Sequence, residues 1–280
     1  MNRTNKILRI MVLILCAVLI TGCNSSKNKI PDNVPDIIER IYKNMSDLKS
    51  YSTKSTLSMD MVLSGTETKS VFETTVGMQM NPLELTILHN NTVGGESSSS
   101  YIYGSEEENE MQLYCFENGQ WTKDATSQES VEKIKEQYAS PIEFDLYFVN
   151  IDSFEISESG EETTVLEGTV SKENVVEILK ETGVLKQLSL TSFPEETIEK
   201  MEPISVKVWV NNKTVCIEKF ELDMTKTYQN LCSILFTEES KVNPEIKECK
   251  MVIDEIQINE ELEVILPEDA KKALDDLREE

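Results

Sequence analysis

The sequence contains few residues that could carry out catalysis. His89 is the single histidine among 280 residues, and it falls on the same face of a predicted strand as Leu85 and Ile87. A serine-type triad, or a zinc site built from several histidines, needs imidazoles that this chain lacks. The chain also has no glycine-rich phosphate loop, no G-x-S-x-G and no C-x-x-C motif. We therefore expect that this protein is not an enzyme and that it uses no cofactor and no metal ion.

Two acidic runs, residues 106–108 and 158–162, contain enough carboxylates to attract a cation. Both are expected to lie in turns between predicted strands. A dedicated calcium loop places oxygen ligands at alternating positions, and neither run has that spacing. We interpret both runs as solvated turns.

Four cysteines lie in the body of the chain, at Cys115, Cys216, Cys232 and Cys249. Export permits disulfides, and four cysteines allow three complete pairings. Cys115 shares a strand face with Met111, where a free cysteine is a good small core residue. We favour free thiols at these four positions, and one disulfide is the alternative.

The N-terminus resembles a bacterial lipoprotein signal. Three basic residues within the first nine positions precede an apolar run at residues 10–20, which is too short to span a membrane. The run ends in ITGC at residues 20–23, which resembles the lipobox. This resemblance implies that residues 1–22 are a lipoprotein signal peptide that is removed, and that Cys23 receives a diacylglycerol. Residues 23–33 then form the lipidated cysteine and a short polar tether.

The chain is strongly acidic, with 27 Lys and Arg residues against 51 Asp and Glu residues and a formal net charge of −24. Nucleic-acid binding is excluded, since it needs a basic surface that displaces counterions from phosphates. Anionic lipid also repels an acidic surface. We therefore expect the N-terminal lipid to hold the protein on the extracytoplasmic face of the cell membrane.

Hydrophobic periodicity predicts one α+β domain over residues 34–280. Apolar residues at helical spacing from Val34 to Leu48 predict an amphipathic helix. Alternation then predicts a series of antiparallel strands joined by polar turns. Ser140 and Pro141 are expected to open a further helix as its N-cap and first-turn proline. The helices after the first are predicted at residues 127–138, 140–148, 171–183 and 228–236, and after Pro267.

The order of these features resembles a family of Gram-positive lipoproteins of unassigned function. The lipobox and one helix are followed by LKSYSTKSTLSMDM at residues 48–61, and later by YIYGS and LYCFENGQWTK at residues 101–105 and 113–123. The fold of that family is similar to LolA and the mycobacterial LppX/LprG carriers. The resemblance implies a curved antiparallel sheet, an incomplete barrel, that is closed by helices around an apolar cavity.

Six apolar side chains are candidates for the lining of that cavity. They alternate with polar residues on two consecutive predicted strands, so each set shares one face, which is expected to meet the helix carrying Ile37, Ile41 and Met45. Methionine suits a surface that must fit variable apolar partners, although it also fills ordinary cores. Trp209 alternates with neighbouring valines and is expected on the opposite face. The candidate lining residues are Leu57, Met59, Met61, Phe72, Val76 and Met78.

These expectations leave two functions open. The first is a membrane-anchored extracytoplasmic lipoprotein that acts as a non-enzymatic binding module for lipid or another amphiphile in an apolar cavity. The alternative is an envelope protein-interaction or sensor domain, whose helices fill the barrel and which binds no small ligand. A continuous apolar cavity favours the first function, and a packed interior favours the second.

The lipobox predicts the effect of Cys23→Ser. This substitution removes the thiol that accepts the lipid, so the protein is expected to leave the membrane fraction or to remain an uncleaved precursor. Fractionation of cells, followed by detergent-phase partitioning, measures the change. A processed Cys23→Ser protein that still partitions into detergent like the wild type would contradict the lipobox interpretation.

Overall fold

The computed structural model describes most of the chain after the tether. The described residues are 30–46, 48–107, 110–117, 119–126, 128–137, 140–182, 201–235 and 244–260, together with 185, 272 and 275. The predicted signal peptide, Cys23, most of the tether and the helix predicted after Pro267 lie outside these residues, apart from two isolated positions in that helix.

Strands account for most of the regular structure. Strands β1 and β2 are joined by a tight turn at Ser64 and Gly65, which both have positive φ. The strands are β1 Ser50–Leu63, β2 Thr66–Met80, β3 Leu83–Val93, β4 Glu96–Glu107, β5 Glu110–Glu117, β6 Gln120–Thr126, β7 Glu155–Ser159, β8 Thr163–Thr169, β9 Ser205–Asn211, β10 Ile217–Asp223 and β11 Glu245–Ile258. The helices are α1 Val34–Met45, α2 Gln128–Gln137, α3 Phe144–Tyr147, α4 Lys172–Glu181 and α5 Thr225–Leu235, with a 3-10 turn at Ile151–Ser153.

All eleven strands belong to one antiparallel sheet, in the order β6-β5-β4-β3-β2-β1-β11-β10-β9-β8-β7. The order follows the chain outward from β1 to β6 and inward from β7 to β11. The sheet is curved and open, and β6 and β7 are its two end strands. The structure thus confirms the predicted fold class, a curved antiparallel sheet combined with helices.

Two irregularities in β11 keep its apolar side chains on one face. The register against β1 shifts once between Asp60 and Met61 and again between Ser52 and Lys54. At the second shift Glu255 adopts the left-handed conformation, with a φ of 52°. Each bulge adds one residue to β11, so the side chains that share a face change between even-numbered and odd-numbered positions. The apolar side chains therefore stay on one face along the whole strand. The side chains aligned in this way are Ile246, Cys249, Met251, Ile253 and Ile258.

Helix α1 packs on the face of the sheet that carries Leu57 and Met59, which we call the inner face. The helix begins after Asn33, whose Oδ1 accepts a hydrogen bond from the Asp36 amide at 3.0 Å. Its buried side chains join the inner-face side chains of β1 and β8–β11 and residues of α3, α4 and α5 in one large core. A separate small core lies on the same face under α2 and contains Leu48, Tyr51, Met78, Met80, Leu83, Leu85, Met111 and Val131.

The prediction of a helix that opens at Ser140 and Pro141 is wrong in the length of that helix. Only Phe144–Tyr147 is helical, and Glu143 precedes it as the N-cap residue. Apolar side chains there are too dense along the chain for one helical stripe, so the segment folds as a compact turn that fills the large core. The buried residues of this segment are Ile142, Phe144, Leu146, Tyr147 and Phe148.

The interpretation of the acidic runs as turns is also wrong in part. Glu106 belongs to β4, and Glu158 belongs to β7. Of the second acidic run, only residues 160–162 lie in a turn. Glu106 faces inward and has specific partners, so it is not a solvated turn residue.

Among the described residues, no helix has both the length and the apolar content needed to cross a membrane.

The packing of α1 predicts the cost of shortening one of its side chains. Ile41 is fully buried in the large core, and Ile41→Ala is expected to lower the free energy of unfolding by about 2–5 kcal/mol. Glu39→Ala, on the exposed face of the same helix, is the control and is expected to change it by less than about 0.5 kcal/mol. Urea unfolding measures both values. Equal effects of the two substitutions would show that α1 does not hold the large core together.

Candidate functional site

The candidate site is a partly uncovered area of the inner face on β2–β5. Here the register places four apolar side chains side by side across four strands: Val76 opposite Ile87, Ile87 opposite Ile102, and Ile102 opposite Cys115. All four are only half-buried, whereas Thr53, which continues the row on β1, is buried. We call these four side chains the apolar row.

A row of hydrogen-bonding side chains lies beside the apolar row, two residues further along each strand. The register places Ser55 opposite Thr74, Thr74 opposite His89, and His89 opposite Ser100. Thr74 Oγ1 and His89 Nδ1 are 3.0 Å apart and share a hydrogen bond. These four half-buried side chains form the polar row, and the two rows together form what we call the open patch.

On its other side, the apolar row borders the small core. The next row along the strands runs from Tyr51 through Met78 and Leu85 to Gly104, and all four residues are buried. The Met111 side chain from neighbouring β5 ends directly over Gly104, where a Cβ would have to displace its methyl group. The small core therefore closes the inner face at this end of the sheet.

Helix α2 covers the small core and is held by one ion pair. Val131 is fully buried, and Lys135 Nζ lies 3.1 Å from Glu106 Oε2. The same carboxylate accepts a hydrogen bond from the Leu83 amide at 2.9 Å. The Leu83 amide and, secondly, the Lys135 ammonium lower the pKa of the Glu106 carboxyl, so it stays ionised at neutral pH. Glu106 thus ties β3, β4 and α2 together at the end of the sheet.

The structure divides the six predicted lining residues between packed and accessible positions. Leu57 and Met59 are 5% and 4% exposed within the large core, and Met78 is fully buried in the small core. Met61 and Phe72 are half-buried against the large core, and Val76 is half-buried in the apolar row. All six share the inner face, but they do not line one common space.

Three members of the apolar row, Ile87, Ile102 and Cys115, were not among the predicted lining residues. Each lies in a segment whose alternation predicts a strand. What the sequence does not indicate is that β3, β4 and β5 pair with β2 in a register that aligns these side chains with Val76.

The four body cysteines are free thiols. Burial raises the pKa of Cys232 to about 11 and that of Cys249 to about 12, and it also raises the pKa of Cys216. Burial, followed by the nearby Asp124 and Glu117 carboxylates, raises the pKa of the Cys115 thiol. Because the thiolate is the nucleophile, none of these cysteines is activated for chemistry. Cys115 differs from the other three because it is only half-buried, as the member of the apolar row on β5.

Other potential sites give weaker candidates. Trp209 lies on the outer face, as predicted, between the ammonium groups of Lys207 and Lys219, which are 5.4 and 4.5 Å from its ring centre. Among the described residues, no three His, Cys, Asp or Glu side chains are grouped closely enough to hold a metal ion.

The fold and the open patch define a protein built on one open antiparallel sheet, whose inner face is divided between two cores and a partly uncovered strip. The chain belongs to the family of unknown function DUF6612, whose family model matches residues 33–275.

Two solved structures are similar to this chain over most of its length. A DUF1329 family protein from Desulfovibrio piger has 8% sequence identity and a TM-score of 0.26, over 83% of this chain and 96% of that one. A beta-barrel-like protein of the domain of unknown function DUF1849 from Brucella abortus has 8% identity and a TM-score of 0.24, over 77% of this chain and 100% of that one. No curated protein matches the sequence.

The burial of Met59 predicts the result of placing a charge there. Met59→Glu is expected to lower the free energy of unfolding by several kcal/mol, because an unpaired carboxylate enters the large core. Ser58→Glu is the matched control, since Ser58 points to the outer face, opposite Lys250. Denaturant unfolding compares the two variants. A folded Met59→Glu protein of wild-type stability would show that this part of the inner face is not solid core.

Proposed function

We propose that this protein is a membrane-anchored extracytoplasmic lipoprotein that binds the apolar part of a lipid or another amphiphile on the open patch. The observation that supports the proposal is the apolar row, four aligned apolar side chains that stay half-buried between the closed small core and the polar row. The membrane anchor rests on the lipobox resemblance at Cys23.

The dimensions of the apolar row suit an extended hydrocarbon chain. Its side chains lie on four neighbouring strands, so the row spans three inter-strand spacings, or about 14 Å. Covering their exposed surface with an acyl chain removes apolar area from water, which contributes about 25 cal/mol per Å². The small core on one side is already packed and the polar row on the other side is not apolar, so an acyl chain gains most by lying along this strip.

The neighbouring polar row makes the open patch amphipathic. Hydroxyl groups and one imidazole lie directly beside aliphatic side chains, so a tail on the apolar row has hydrogen-bonding groups along one side. Specific small-molecule sites combine an apolar lining with a few placed polar groups in this way. The inactive state of the thiols, and the structural hydrogen bond of His89 with Thr74, support binding rather than catalysis.

The alternative function is supported by a different observation. Leu57 and Met59, the centre of the predicted cavity lining, are packed against α1 in the large core and leave no room there for a guest. A protein-interaction or sensor domain with a filled interior would have this property. The two functions differ in whether the open patch takes a small amphiphile.

Cys115 offers a local test of the proposed function. In the folded protein Cys115 is expected to react with iodoacetamide faster than Cys216, Cys232 and Cys249, because those three are buried. A bound amphiphile would cover the apolar row and slow the alkylation of Cys115 alone. Peptide mass spectrometry with and without a long-chain monoacylglycerol measures the rates at each cysteine. Alkylation of Cys115 that is unchanged by any amphiphile would leave only the alternative function.

A pair of variants connects that protection to the apolar row. Ile87→Gln places an amide in the row and is expected to weaken the protection of Cys115 about tenfold. Leu88→Gln is the control, because Leu88 is the next residue, is also half-buried and points to the outer face. Equal losses in both variants would indicate a general effect on β3 and not a contact with the ligand.

A further inference from the structure

The basic side chains of β1–β6 lie on the outer face of the sheet. Lys54 Nζ is 2.6 Å from Glu73, Lys69 Nζ is 3.4 Å from Asp60, and Lys123 Nζ lies 5.6 Å from the ring centre of Tyr114. In the described residues of these six strands, no inner-face position is a lysine or an arginine. The described residues of the strands that form the open patch therefore place no cation in it.

The nearest helix does not supply a cation to the patch either. Lys135 of α2 reaches the inner face, but its ammonium is bound by Glu106 at 3.1 Å. By alternation with Cys115, Glu117 at the end of β5 also belongs to the inner face, and it is exposed. The patch thus combines neutral side chains with two nearby inner-face carboxylates, Glu117 and Asp124, in a chain of net charge −24.

The polar row consists of groups that both donate and accept hydrogen bonds. The hydroxyls of Ser55, Thr74 and Ser100 have one donor and two acceptor sites each, and one of these sites on Thr74 is used in its hydrogen bond with His89 Nδ1. A hydroxyl-bearing head group can both donate to such partners and accept from them, whereas an ester oxygen only accepts. A carboxylate or phosphate would lose hydration here without gaining a cation, and a quaternary ammonium cannot form hydrogen bonds at all.

From this charge distribution we infer that the open patch selects amphiphiles with an uncharged, hydrogen-bonding head group and discriminates against anionic ones. The inference rests on the proposed function, since it concerns the ligand of the same patch. The apolar row takes the tail, and the polar row selects the head.

Three probes with the same tetradecyl-length tail test this selection: a glycerol monoester, the free fatty acid and the trimethylammonium. Binding to the purified protein is measured through protection of Cys115 from alkylation, below the micelle concentration of each probe. The measurements are made at pH 8, where imidazole is largely uncharged. The glycerol monoester is expected to bind about tenfold more tightly than either charged probe.

A charge placed in the polar row should reverse the preference. Ser100→Lys adds an ammonium beside His89 and removes one hydroxyl of the polar row, so the affinity for the fatty acid relative to that for the monoester is expected to rise about tenfold or more. Ser99→Lys is the matched control, because Ser99 is the neighbouring residue and faces outward, where it bonds Asn90. If Ser100→Lys does not fold, Thr122→Lys supplies the cation from an exposed inner-face position opposite Cys115.

The outcomes separate the two proposals. If the fatty acid protects Cys115 as well as the monoester does, the amphiphile site stands and the head-group inference is overturned. Tighter binding of the trimethylammonium overturns it as well. If none of the probes protects Cys115, the proposed function fails and this inference falls with it. An equal response of Ser99→Lys and Ser100→Lys would show that net charge, and not the polar row, controls the preference.

Discussion

The pairing of β1 with β11 is the contact on which the rest of the structure depends. It joins the first described strand to the last, from Tyr51 opposite Ile258 to Val62 opposite Glu245. Without it, the strands would form two separate ladders, β1–β6 and β7–β11. Joined, they form one inner face long enough to hold both cores. The two bulges of β11 belong to this constraint, since a regular strand would turn part of its apolar side chains to the outer face.

The division of the inner face follows from where the helices are in the chain. Four of the five described helices contribute to the large core, which covers β1 and β8–β11, and only α2 returns to cover part of β1–β5. Since α2 is short, it closes one end of that half, and no other helix of the described residues adds a buried side chain to the small core.

Much of the fold could be predicted from alternation and helical spacing, because those patterns report on one element at a time. Three of these patterns agree with the structure: the shared face of Leu57 and Met59, the α1 stripe of Ile37, Ile41 and Met45, and the outward position of Trp209. The segment near Phe144 did not follow its pattern, because several consecutive side chains are buried together. The bulge at Glu255 breaks the parity that alternation assumes.

The site was less predictable than the fold because it depends on register between strands. Alternation places Met59 and Val76 on the same face, but only the pairing of strands shows that Met59 lies under α1 and Val76 beside Ile87. Glu106 illustrates the same limit. Its neighbours Glu107 and Glu108 suggest a solvated acidic turn, whereas the Leu83 amide and the Lys135 ammonium come from distant parts of the sequence.

An open sheet has two end strands, and here they differ in their capacity to accept another strand. All five residues of β7 are exposed, two of them are glutamates, and its register is interrupted between Ile156 and Glu158. Charge and a bulge are features that keep sheet edges from associating with one another. Strand β6 also carries two charges, Lys123 and Asp124, but it is longer and pairs with β5 without interruption. Regularity of pairing, and not charge, therefore distinguishes the two edges of the sheet.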